Sequence, residues 1–132
     1  MHDFDYLEPD SLRDVCQLTN QWGEDARLIA GGTALMLALR QRLVSPSCLI
    51  SVARVPELRG IHFDSEHRLV VGAFTTHSEV AQSSHIREHY PMLASMASQV
   101  ANWQVRNQGT IGGNLCYADP ATDPPGCLLA LG

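Results

Sequence analysis

Ala26-Arg27-Leu28-Ile29-Ala30-Gly31-Gly32-Thr33-Ala34-Leu35-Met36-Leu37-Ala38-Leu39 passes from a short apolar run, through a glycine pair, into apolar residues at helical spacing. Residues 26–30 read as a buried strand, which the glycine pair breaks. A helix is predicted from about Thr33 to Leu43, with Leu35, Met36, Leu39 and Leu43 facing inward. Pro46 precedes a second strand over Ser47–Val52. Strand, helix and strand at this length predict a parallel βαβ unit and place the chain in the α/β or α+β class. Glycines let the backbone turn sharply and approach a ligand with no Cβ in the way. The N–H groups at the start of the following helix can then receive an anion, and Thr33 adds a hydroxyl. A Gly-Gly pair also serves as a plain tight turn, and this one lacks the GxGxxG spacing of dinucleotide-binding Rossmann folds.

Before this unit, Phe4–Leu7 reads as a first strand. Asp10 or Ser11 then caps a helix whose inward stripe is Leu12, Val15, Cys16, Thr19 and Trp22, ending at Gly23. After it, Pro56–Gly60 reads as a helical turn. Ile61–Phe63 and Arg68–Ala73 flank the polar turn Asp64–His67 as a hairpin. A helical region is predicted from Thr76 to about Asn102, broken near His89-Tyr90-Pro91 because the residue before proline avoids helical dihedrals. Arg106–Asn114 reads as an ordered loop, and an apolar helix begins near Gly126.

A second glycine motif, Gly109-Thr110-Ile111-Gly112-Gly113-Asn114, holds three glycines within five residues. Successive N–H groups in such a loop can form a concave nest for phosphate oxygens, with Asn114 pinning the loop; a structural turn is the alternative. Asp119-Pro120-Ala121-Thr122-Asp123 offers an acid for ribose hydroxyls, or a helix cap at Thr122 or Asp123 before Pro124-Pro125, and the two roles are compatible. Met92 and Met96 read as core, and Trp103 as packing rather than stacking on a flat ring. His62, His67, His77, His85 and His89 show no metal-binding pattern. Cys16, Cys48, Cys116 and Cys127 form no CxxC pair and read as buried free thiols.

The length of 132 residues suits one domain or two small lobes. The net charge of −5 argues against nucleic-acid binding. All nine basic residues are Arg, which excludes an active-site lysine and a GxxxxGK[ST] P-loop. The acidic start Met1-His2-Asp3-Phe4-Asp5 is no signal peptide, and no apolar run reaches the roughly 18 residues of a membrane span. The expectation is a cytoplasmic protein.

Taken in order, five segments resemble one family: Leu28–Thr33, Val52–Ile61, Val71–His77, Gln104–Leu115 and Ala118–Asp123. Each alone is weak, but five ordered motifs make a joint signal. The chain resembles the N-terminal part of the FAD-binding medium subunit of molybdenum hydroxylases, of the xanthine dehydrogenase and carbon monoxide dehydrogenase type. The resemblance implies an FAD-binding fold of the p-cresol methylhydroxylase or vanillyl-alcohol oxidase type. Residues 1–55 would form its βαβ lobe and residues 56–132 the first part of the second lobe.

By position, Leu28, Ile29, Ala30, Gly31, Gly32, Thr33, Ala34 and Leu35 would form the first diphosphate loop. Thr110, Ile111, Gly112, Gly113 and Asn114 would form the second. Asp123 would meet the ribosyl-adenosine side, and Val100 would approach the flavin. No catalytic side chain and no metal ligand is implied. FAD would carry electrons from iron–sulfur clusters to NAD or another acceptor, with an iron–sulfur small subunit and a molybdopterin large subunit as partners. Ala34 departs from the family, which usually has an acid there. The family's chains also continue well beyond Gly132, so a fragment is expected. A truncated scaffold that keeps the fold and holds little FAD is the alternative. Gly112→Val and Gly32→Val are expected to weaken FAD binding while leaving the fold largely intact.

Overall fold

A computed structural model describes residues 2–132. The βαβ expectation holds. β2 (Ala26–Ile29) and β3 (Cys48–Ser51) pair in parallel around α2 (Leu35–Arg40), and β1 (Asp5–Leu7) pairs in parallel on the other side of β3. The order β1-β3-β2 leaves β3 central and buried at all four residues. β2 is an edge strand, so only Ala26 and Ile29 are buried and Leu28 is half exposed, a correction to the buried strand expected there. α1 (Leu12–Trp22) starts at Ser11, whose hydroxyl accepts from Asp14 N, and stops at Gly23, which takes φ +57°. Its inward stripe is Val15, Leu18 and Trp22; Leu12 and Cys16 lie exposed.

α2 ends earlier than its apolar pattern suggests. Leu43 N reaches back to Ala38 O and Arg42 N to Leu39 O, with Arg42 in the left-handed region at φ +57°. These bonds close a Schellman-type stop with arginine where glycine is usual, and they turn Leu43 out to solvent.

The hairpin of β4 (Ile61–Phe63) and β5 (Leu69–Val71) is antiparallel. Asp64 organises its turn by accepting from Glu66 N and Arg68 N at 2.9 and 2.8 Å and from Arg68 Nε at 2.8 Å. Those bonds, the Arg68 backbone N–H foremost, hold the Asp64 carboxyl below its ordinary value. The long helical region is three helices rather than two: α3 (His77–Gln82), α4 (Ser84–His89) and α5 (Pro91–Ser98). Besides the expected break at Tyr90-Pro91, Ser83 ends α3 and caps α4. Thr76 and Glu79 form a reciprocal capping box at the start of α3.

The expected loop over Arg106–Asn114 is mostly helix. α6 (Trp103–Gln108) and α7 (Ile111–Tyr117) are separated only by Gly109-Thr110, and α8 (Asp123–Leu131) follows. One core gathers Val15, Ala26, Cys48, Ile50, Val52 and Val55 beneath the parallel sheet. Another gathers Val80, Ile86, Leu93, Ala94 and Ala97 among the helices, with Cys127 and Leu128 of α8 against it. Met96 joins this second core, whereas Met92 is largely exposed. Of the cysteines, Cys48 alone is fully buried; Cys16 and Cys116 are exposed. None is paired in a disulfide, and burial raises the thiol of Cys48. Among the described residues no helix is long and apolar enough to cross a membrane, and no His, Cys, Asp or Glu cluster suits a metal ion.

Candidate functional site: two glycine motifs

The first motif leaves β2 at Ile29 and enters α2 at Leu35. Gly32 takes φ +74°, the left-handed conformation that glycine adopts without a Cβ penalty. Ala34 occupies the cap position of α2 and provides no side-chain acceptor. The backbone N–H groups from Gly31 to Leu35 therefore all lack a protein acceptor among the described residues. The segment Ala30–Met36 is half-buried. Consecutive unpaired N–H groups at the end of a strand suit an anion, because each is a donor with no protein acceptor to give up.

The second motif is built in the opposite way. Thr110 caps α7, and its hydroxyl accepts from Gly113 N at 3.0 Å while its carbonyl accepts from Asn114 N at 3.0 Å. Ile111 N donates to Thr75 O and Gly112 N to Ala73 O, both at 2.9 Å. The four N–H groups from Ile111 to Asn114 are thus consumed inside the protein, which corrects the expected nest. Thr110 N–H alone in this motif keeps no partner among the described residues. The glycines here serve close packing: a Cβ on Gly112 would lie 2.6 Å from Ala73 O.

The two motifs touch. A Cβ on Gly31 would collide with the Gln108 carbonyl, and one on Gly113 would rest 3.7 Å from the Ala30 Cβ. Beneath them lies His77, only 2% exposed, whose backbone N–H donates to Gly109 O at 3.1 Å. The Cδ2–Nε2 edge of its ring packs on Gly109, and its buried Nδ1 has no hydrogen-bond partner among the described residues. Burial lowers the His77 pKa from its ordinary value, so the ring favours the neutral form. Sequence reasoning passed over His77 as one of several scattered histidines; its place directly after the capping threonine was the available signal.

The other expected site residues are placed as follows. Val100 is half-buried between α5 and α6, its carbonyl held by Arg106 Nη1 at 2.9 Å. Asp123 is exposed in the first turn of α8. Its neighbour Thr122, the cap of α8, contacts the Asn114 side chain and so brings this segment beside the second motif. Trp103 does not pack inward as expected. It is 66% exposed, with the Arg106 guanidinium 4.8 Å from the ring centre. An apolar recess of about 240 Å³ lies under Ile111 and Leu115 of α7, bordered by Leu69, Val80, Leu93 and Leu128. Its lining side chains are all apolar, so none of them can serve a phosphate. Expected variants also need correction. Gly112→Val would drive its side chain into the Ala73 backbone, and Gly32→Val would place a β-branched residue at positive φ, so neither spares the fold.

Residues 2–132 match the family described as the FAD binding domain in molybdopterin dehydrogenase. The chain is 41% identical over 128 residues to the 6-hydroxypseudooxynicotine dehydrogenase complex subunit alpha of Paenarthrobacter nicotinovorans, covering 97% of this chain and 43% of that protein. It is 38% identical to the carbon monoxide dehydrogenase medium chain of Hydrogenophaga pseudoflava, covering 97% of this chain and 44% of that one. A solved structure of carbon monoxide dehydrogenase from Hydrogenophaga pseudoflava superposes with a TM-score of 0.91 at 39% identity, over 94% of this chain and 43% of that one. The chain belongs to this FAD-binding family, as its five ordered motifs indicated, and it spans less than half the length of these relatives.

Proposed function

We propose, starting from that family membership, that this chain holds the diphosphate of FAD within the medium subunit of a molybdenum hydroxylase. One observation carries the reading: the unpartnered N–H groups of Gly31–Leu35, half-buried and packed against the second glycine motif. They fit the chemistry of a diphosphate, which needs several donors and gains nothing from an acid. Gly31, Gly32, Thr33, Ala34 and Leu35 would donate through the backbone, while Leu28, Ile29 and Ala30 fix the strand end from which the loop departs. From the second motif, Thr110 would use its free N–H and Asn114 its side-chain amide. Ile111, Gly112 and Gly113 would brace those two residues. Asp123 would accept from ribose hydroxyls, and Val100 would border the flavin.

Bound FAD would supply the redox chemistry, passing electrons between an iron–sulfur small subunit, beside a molybdopterin large subunit, and NAD or another acceptor. The protein's own part is to bind, orient and tune; no side chain need act as an acid or base.

The test is a titration of the purified protein with FAD, read by flavin fluorescence and repeated with ADP and riboflavin as competitors. Saturable binding at about micromolar affinity or better is expected. ADP, which carries the diphosphate, should compete, and riboflavin, which lacks it, should compete weakly. A folded sample with no saturable binding sinks the proposal and favours a scaffold that holds little FAD.

A further inference from the structure

Thr122 occupies the cap position of α8, where threonine usually accepts a hydrogen bond from the N–H two or three residues on. Here those residues are Pro124 and Pro125, which have no N–H, and Thr122 makes no capping bond. Its hydroxyl turns instead toward α7. Its single proton is shared between Asp119 O at 3.1 Å and Asn114 Oδ1 at 3.3 Å. Asn114 Oδ1 is thereby oriented toward α8, while its two Nδ2 donors meet no protein acceptor among the described residues. An asparagine amide can flip its oxygen and nitrogen, and the hydrogen bonds around it decide which end faces a ligand.

We propose that Thr122 is a positioning residue for the cofactor site, setting the Asn114 amide so that its N–H₂ end faces the ligand. The inference rests on the reading that Asn114 contacts FAD. Thr122 acts through Asn114, toward whose amide its hydroxyl is turned. Its 3.3 Å contact is long for an O–H donor, so it biases the amide and does not lock it. The prolines complete the device: they spare the threonine from capping duty and leave the helix indifferent to the loss of its hydroxyl.

The experiment measures FAD affinity and thermal unfolding of the purified full chain carrying Thr122→Val, Thr122→Ser or Asn114→Ala. Thr122→Val should weaken FAD binding by about threefold to tenfold, the usual worth of one hydrogen bond, without lowering the unfolding temperature. Thr122→Ser, which keeps the hydroxyl, should restore the wild-type affinity. Asn114→Ala should weaken binding at least as much as Thr122→Val. If Asn114→Ala weakens binding but Thr122→Val does not, or if serine fails to rescue, the positioning role is overturned and the FAD site stands. If Asn114→Ala leaves the affinity unchanged, Asn114 is no cofactor contact and the inference falls with it.

Discussion

Gly31-Gly32 and Gly112-Gly113 are the same dipeptide used for different purposes. Both precede or open a short helix, and both lie at the junction of the two motifs. At the first pair the N–H groups are left free, because the helix has no side-chain cap and the strand behind it has ended. At the second pair the N–H groups are spent on Ala73 O and the Thr110 hydroxyl, and the missing Cβ admits another backbone. A glycine-rich motif therefore does not announce an anion site by composition. What matters is whether its donors already have partners, since a satisfied N–H has little to gain from a phosphate.

The largest effect should come from filling the close approaches. Gly112→Val or Gly31→Ala forces a carbon into neighbouring backbone and should cost more than about 3 kcal/mol in denaturant unfolding, beyond ordinary overpacking. Gly126→Ala makes the contrast. It lies in α8 with nothing within 4 Å of its Cβ position, and the substitution should stabilise by about 0.5–1 kcal/mol. Native stability in Gly112→Val would break the comparison, because the second motif would then not be a packed brace.

An intermediate effect concerns His77, the support of the second motif. Burial depresses its pKa in the folded protein, so the unfolded chain binds more protons at mildly acidic pH. Stability should be fully present above about pH 6.5 and decline as the pH falls from there toward the lowered folded value. His77→Gln should flatten this part of the stability–pH curve relative to the wild type. An unchanged slope would mean that the ring is not carrying the penalty.

The smallest effect gives the first motif the cap that the second already has. Ala34→Asp places a negative charge beside the unpaired N–H groups at the start of α2 and should raise stability by about 0.3–1 kcal/mol, measured by thermal unfolding. No gain would show that the α2 cap position cannot reach its first-turn N–H groups, and the difference between the two motifs would need another cause.

The parallel βαβ unit, the hairpin, the capped α1 and the family were legible from residues 4 to 123, because each rests on local periodicity or on turn chemistry. The errors share one origin. Leu28 is exposed because β2 is an edge, Leu43 because Arg42 takes a left-handed turn, and Trp103 because its ring lies at the surface beside Arg106. In each case the strand order, a backbone dihedral or the packing around the side chain decides, and the spacing of apolar residues does not reveal it.

The glycine motifs divide along the same line. The sequence alone determined that the backbone bends at Gly31-Gly32 and that Pro124-Pro125 offer no N–H to a cap. Those are properties of residue types and nearest neighbours. Only the tertiary structure decided that Ala73 and Thr75 take the N–H groups of Gly112 and Ile111, while none of the described residues takes those of Gly31–Leu35. Hydrogen-bond satisfaction depends on which segments the fold brings within about 3 Å of one another, and that is set by packing across the whole chain.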